Sequence, residues 1–293
     1  MLPAAQDRCT YLMTNTASHQ QLFLVTGGTG KTGSRVAARL AAAGHPVRLG
    51  SRTAPIPFDW TDRATWGPAL AGVDSVYLSY QPDLAVPGAP DVIHAFTAAA
   101  KAAGVTSVVL LSGRGEPEAR ECEVIVENSG LAWTVVRSAF FAENFSEGAF
   151  LPDVLAGAVA LPNGDVPEPF AHADDIAEVA VAALTDARHA GEIYEITGAR
   201  ALTFAEAVGE IAAASGREIA FIPASRPEFV ATLAEYQVPD DVISLLDYLF
   251  GTILDGRNSA TADGVERALG RAPRDFSEYA KETAATGIWT PQE

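Results

Sequence analysis

The residues with the most chemistry in them open the first half of the chain: Gly27-Gly28-Thr29-Gly30-Lys31-Thr32-Gly33. Glycines at 27, 30 and 33 let a turn tighten until backbone N–H groups close on an anion at the positive end of a helix, the usual seat of a pyrophosphate. Thr29, Lys31 and Thr32 add donors to the same loop. Such a pattern has this meaning only between a strand and a helix. Residues 21–26 are a short apolar run, and residues 34–43 have helical spacing closed by Gly44, so the context is right. A phosphate-binding P-loop would need glycine at position 25, where Val25 stands, and that alternative fails.

Which dinucleotide the loop holds is read at the end of the second predicted strand. A free ribose is met by a carboxylate ~20 residues past the glycines. Leu49-Gly50-Ser51-Arg52-Thr53 offers none before Asp59. Ser51 and Arg52 suit a 2′-phosphate and Lys31 adds charge, so NADP(H) is the expected cofactor. Asp59, with Trp60 beside it, is placed to meet the adenine; the alternative is that they are a turn and a core residue.

Carbonyl reduction on this kind of scaffold normally uses a Tyr-x-x-x-Lys pair, the lysine lowering the phenol's pKa. The lysines here are Lys31, Lys101 and Lys281, none four residues after a tyrosine, and the predicted helix at 116–129 has neither residue type. An acceptor must then tolerate weak proton donation. An iminium ion needs only hydride, and a quinone or conjugated enone yields an anion that water or one weak donor can protonate. Tyr80 and Ser112 are the candidate donors. Ser79, Gln81, Gly113 and Ser138, beyond strand ends, are expected against the cofactor, and Phe140, Phe141, Asn144 and Phe145 in the substrate pocket. His172 is a further pocket candidate. No second histidine has ligand spacing, so no metal is expected. Asp174 reads as a helix N-cap and Cys122, between Glu121 and Glu123, as structural.

The elements that must position these groups alternate. Strands are predicted at 21–26, 46–50, 56–59, 74–79, 106–111 and 131–136, with helices between them, which makes an α/β doubly wound parallel sheet of the Rossmann kind. The expected organisation is a disordered leader at 1–20, an NAD(P)-binding domain at 21–150, and a smaller substrate-covering part at 151–293 interleaved with the sheet. A net charge of −17 disfavours nucleic acid and anionic membranes. Two cysteines and no apolar run of ~18 residues suggest a cytoplasmic protein without disulfides. A small-molecule substrate and a monomer or homodimer complete the expectation.

With the glycine loop and the missing pair stand four further motifs: Phe58-Asp59-Trp60, Leu111-Ser112-Gly113, Val136-Arg137-Ser138-Ala139-Phe140-Phe141-Ala142-Glu143-Asn144-Phe145, and Ala173-Asp174-Asp175-Ile176-Ala177. In kind and order they resemble the NmrA-like atypical short-chain dehydrogenases/reductases over nearly the whole chain, most of all the bacterial relatives of ergot-alkaloid dehydrogenases and NADPH-dependent quinone reductases. Ser138 departs from the family's usual proline. Arg114 stands where isoflavone-reductase-like members carry a catalytic lysine. The resemblance implies an NADPH-dependent reductase of iminium, quinone or activated-alkene substrates in secondary metabolism. A non-catalytic NADP-binding sensor and an isomerase or cyclase on the same fold are the other readings.

Overall fold

The computed structural model describes residues 20–291, so the predicted leader lies outside the described residues apart from Gln20. The strands are β1 (Phe23–Thr26), β2 (Val47–Gly50), β3 (Ser75–Leu78), β4 (Ser107–Gly113), β5 (Ala132–Ser138), β6 (Ala158–Leu161), β7 (Glu192–Ile196) and β8 (Ala220–Pro223). Six of them form one all-parallel sheet in the order β2-β1-β3-β4-β5-β7, and β6 pairs with β8 in a separate parallel ribbon. The helices are α1 (Lys31–Ala42), α2 (Trp66–Leu70), α3 (Ala89–Ala102), α4 (Pro117–Glu127), α5 (Leu151–Ala156), α6 (Ala173–Thr185), α7 (Phe204–Ser215), α8 (Arg226–Glu235), α9 (Asp240–Tyr248), α10 (Gly264–Leu269) and α11 (Phe276–Ala285).

The doubly wound sheet follows from strands that are apolar on both sides. Phe23 and Val25 of β1 face α1 and α6, whereas Leu24 faces the layer of α2, α3 and α4, and all three are fully buried. A parallel sheet needs both faces covered. Strand order reverses between β1 and β3, so their loops diverge and open a crevice at the carboxyl edge.

The predicted strand at 56–59 does not form. Pro55 and Pro57 deprive it of ladder donors. The segment folds back on itself instead, with Phe58 N–H donating to the Ser51 carbonyl at 2.9 Å and the Trp66 indole to that of Asp59 at 2.9 Å. The sixth strand of the sheet is β7, from the later part of the chain, whose preceding helix α6 lies beside α1. Asp174 is not the N-cap of α6. That position belongs to His172, whose Nδ1 accepts from Asp174 N–H at 3.1 Å, and Asp174 itself pairs with Arg39 at 2.8 Å.

Residues beyond 140 build a second core, in which Phe145, Phe150, Phe170, Phe204, Phe276 and Trp289 meet. Trp289 donates its indole N–H to the Phe145 carbonyl at 2.8 Å, and the Tyr279 hydroxyl donates to Ser146 at 2.9 Å. These two buried rings thus keep hydrogen bonds at their polar tips. Thr203 caps α7 through a reciprocal bond with Glu206.

One ion cluster ties β4, β5 and α4 together. Glu123, wholly buried, accepts from Arg137 at 2.8 Å and 2.5 Å, from the Ser112 hydroxyl at 2.7 Å and from Arg120 at 2.9 Å. Burial works to raise its pKa, but these donors outweigh it and hold the carboxyl below the usual glutamate range. Removing Arg137 leaves the buried carboxylate only partly compensated, by the half-exposed Arg120 and the Ser112 hydroxyl. Arg137→Leu is therefore expected to cost about 3–5 kcal/mol in urea denaturation, with most of the loss recovered by adding Glu123→Met; an additive double mutant would contradict the coupling.

Candidate active site

The glycine loop sits at the crevice. Gly27 has φ +62°, and a Cβ there would press on Ser79 Oγ at 3.3 Å. At Gly33 a Cβ would lie 2.2 Å from the Gly27 carbonyl, so only glycine lets α1 pack this close to β1. Thr26 pins the arrangement from below, its hydroxyl donating to the Tyr77 carbonyl at 3.0 Å and accepting from Ser79 N–H at 2.8 Å. Gly30 is the N-cap of α1, and neither a capping side chain nor a first-turn acid occupies the helix end. The amides there are left for an external anion.

From the loop a single cavity of about 350 Å³ runs across the carboxyl ends of β3, β4 and β5. It brings together thirteen of the predicted residues: Gly27, Gly30, Lys31, Thr32, Ser79, Tyr80, Gln81, Ser112, Gly113, Ser138, Phe140, Phe141 and Asn144. Half-buried Lys31 has its pKa lowered by burial, against the opposing pull of Glu147 and Glu143. Tyr80 rests edge-on against Trp60 at 5.1 Å, and burial raises its phenol pKa, so it remains a protonated hydroxyl.

Other expectations are corrected. The Ser112 hydroxyl donates into Glu123 and so is not free to protonate a substrate. Phe145 is not pocket wall: the 3₁₀ turn Ala142–Phe145 carries it into the second core, where it is fully buried. His172 opens onto a different hollow with Arg35, Glu147 and Tyr279, its Nδ1 3.0 Å from Glu143. Burial opposes protonation of that ring, but Glu143 prevails and its pKa is raised. Trp60 packs against Phe58 and Phe96 at 4.8 Å and 4.9 Å, away from the cavity lining. Asp59 is a turn residue whose carboxylate accepts from Thr61 N–H and hydroxyl, which hold it below the usual range, with Arg52 assisting.

Thr29, Ser51 and Arg52 are also outside the cavity lining, on the open edge near β1 and β2. The exposed Arg52 guanidinium has no hydrogen bond or ion pair among the described residues. Arg114 does line the cavity, but its guanidinium is spent on Glu195 and on the carbonyls of Asn258 and Ala260. The Asn258 amide returns a bond to the Arg114 carbonyl at 2.9 Å.

Sequence reasoning missed two parts of the site. One is an apolar wall from far along the chain: Leu246, Leu249 and Phe250, with Phe250 stacked on Phe140 at 5.3 Å. The other is a set of acids, Asp83, Glu116 and Glu168, all lining the cavity. Their position just past strand ends was the available signal for Asp83 and Glu116. Glu168 accepts from Phe140 N–H at 3.2 Å, and burial pushes its carboxyl up to about 7 against the lowering effects of that bond and Arg114. Among the described residues no group of acids, histidines and cysteines is arranged to hold a metal ion, and no helix is long and apolar enough to cross a membrane.

A family described as NAD(P)H-binding matches residues 27–187. The chain is 32% identical to the uncharacterized oxidoreductase YesF of Bacillus subtilis, over 92% of this chain and 99% of that protein. It is 34% identical to the (4-alkanoyl-5-oxo-2,5-dihydrofuran-3-yl)methyl phosphate reductase of Streptomyces griseus, over 90% of this chain and 98% of that protein. In fold it is similar to the Escherichia coli NADPH-dependent quinone oxidoreductase complexed with NADPH, with a TM-score of 0.71 at 23% identity, covering 89% of this chain and 99% of that one.

Glu168 generates a pH test. Its folded pKa lies above the ordinary 4.5, so between pH 4.5 and about 7 the native state binds more protons than the unfolded chain and stability falls as pH rises. Glu168→Gln is expected to remove a slope of up to ~1.4 kcal/mol per pH unit in that window. Parallel stability–pH curves for the two proteins would refute it.

Proposed function

We infer that this chain, an oxidoreductase that belongs to the NAD(P)H-binding family and within it to the NmrA-like atypical short-chain dehydrogenases/reductases, uses NADPH to reduce a flat conjugated acceptor: a quinone, an iminium ion or an activated alkene. The observation that carries this reading is the continuity of one cavity from the bare N-terminus of α1 to the Phe140–Phe250 stack.

The residues present fit the cofactor. Uncapped amides at α1, the side-chain-free cradle of Gly27 and Gly33, and Lys31 suit a pyrophosphate. Ser51 and the unpaired Arg52 at the carboxyl end of β2 suit a 2′-phosphate, with Thr29 on the same adenosine side. Ser79, Gln81, Gly113 and Ser138 border the inner half of the site. When bound, the cofactor supplies a hydride from its nicotinamide ring.

The chain's own work is positioning and exclusion of water. Phe140 and Phe250 offer ring faces to a planar acceptor, and Leu246 and Leu249 close the side away from the sheet. Tyr80, a phenol kept protonated by burial, orients the acceptor's oxygen or nitrogen as a hydrogen-bond donor. Phe141 and Asn144 complete the rim. The Streptomyces griseus relative's name describes reduction of an unsaturated lactone, an acceptor of the conjugated-carbonyl kind.

Fluorescence titration should show that Arg52→Ala weakens NADPH at least tenfold while leaving NADH nearly unchanged, and equal losses would remove the 2′-phosphate assignment. Cofactor absorbance should fall when the chain meets NADPH with a quinone or a cyclic iminium. Tight NADPH binding without turnover of either would point to the non-catalytic sensor instead.

A further inference from the structure

The conventional acid of this fold class is missing, yet two carboxyls face the same cavity. Asp83 follows β3 and Glu116 follows β4, and these strands are neighbours, so their loops meet. The two carboxyl groups are close enough that each acts on the other's protonation. Two neighbouring carboxylates are acceptors only and repel each other, and one proton, held by one of the two, relieves both effects.

Local partners say which. Asp83 Oδ1 accepts from Ala85 N–H at 2.8 Å, a bond that favours its ionised form. Glu116 Oε2 is buried and receives nothing from any N–H or hydroxyl among the described residues. Burying that oxygen as a carboxylate would be costly, and as part of a neutral carboxylic acid it costs much less. Gly113 makes the room, since a Cβ there would lie 2.2–2.3 Å from the Glu116 carboxyl atoms.

We propose that the Asp83–Glu116 pair holds one proton at the cavity wall, and that Glu116 delivers it to a neutral conjugated carbonyl acceptor, an enone or quinone, after hydride arrives. The step balances simply. Hydride from NADPH brings two electrons and one hydrogen to the acceptor, leaving an enolate or phenolate. The Glu116 O–H bond breaks as the new O–H or C–H bond forms, and the carboxylate left behind is reprotonated from water. This inference rests on the reductase reading above and narrows its acceptors to those that gain negative charge on reduction.

The surroundings agree. Burial, then Asp83, then Glu118 and Glu123 push the Glu116 carboxyl up to about 9. These groups are negative when ionised. The cations in the region, Arg114 and Arg257, are engaged with Glu195 and Asp255. From α9 the Tyr248 hydroxyl, which donates to Glu118 at 2.9 Å, faces the same region. The nearby Cys122 thiol is pushed up to about 12 by burial and by the acids Glu121, Glu123 and Asp83, so it holds its own proton throughout. An acid that stays protonated at neutral pH can donate there, as paired carboxyls do in other active sites.

The test compares the wild type with Glu116→Gln. Infrared pH-difference spectra of the protein alone should show a carboxylic-acid carbonyl band at pH 8, above the titration of Glu168, that is absent from the variant. NADPH affinity, by fluorescence, should be unchanged. Turnover of a para-benzoquinone should fall about a hundredfold, within the usual range for general acid catalysis, while an N-methylated cyclic iminium, which needs hydride alone, keeps its rate. The wild-type quinone rate should decline as pH rises through the titration of the pair, and that limb should vanish in the variant. A pH 8 band that persists undiminished in Glu116→Gln, an unchanged quinone rate, or equal losses on both acceptors would each overturn the proposal. A wild type that oxidises NADPH with neither acceptor defeats the reductase reading and the donor role together, with the band still present.

Discussion

Parallel pairing is the constraint on which everything else rests. Six strands that all run the same way bring every carboxyl end to one edge, so the loops after β1, β3, β4 and β5 converge without being near in sequence. The glycine turn, Tyr80, Asp83, Glu116 and Phe140 are neighbours for that reason alone. The ion cluster of Glu123, Arg137 and Glu195 links α4 to β5 and β7 just beneath this edge. It holds the floor of the site while using up the Ser112 hydroxyl.

Legibility in the sequence tracks locality. The glycine loop was readable because its partners lie within a few residues and its geometry depends on side-chain absence at Gly27 and Gly33. The alternation that built the sheet was readable too. It failed at 56–59, where apolar character suggested a strand but two prolines withheld the donors a ladder requires. Phe140 and Phe145 looked alike as aromatic loop residues; one 3₁₀ turn sends the first to the cavity and the second into the core. Asp83 and Glu116 carried no mutual signal, because their pairing exists only once β3 and β4 are adjacent. Phe250 reaches Phe140 from more than a hundred residues away, a distance no periodicity can bridge.

Electrostatics divides the same way. Near the sheet's carboxyl edge the chain pays for some buried acids with arginines, as at Glu123, and leaves Asp83, Glu116 and Glu168 without a direct cationic partner. The first kind stays ionised and structural. The second kind is raised toward neutrality and lines the cavity. A strongly acidic protein thus lines its cavity with carboxyl groups that hold their protons more tightly than ordinary surface acids do.

The late arrival of β7 has a consequence for synthesis. β5 ends at Ser138, but the strand that covers its outer flank begins at Glu192. A nascent chain that has completed the first five strands therefore exposes a row of unpaired backbone groups on β5, an edge open to wrong partners. During that interval the cofactor half is topologically incomplete. Ribosomal pauses between the two strands, or truncations that remove β7, would leave a sticky intermediate in place of a smaller working domain.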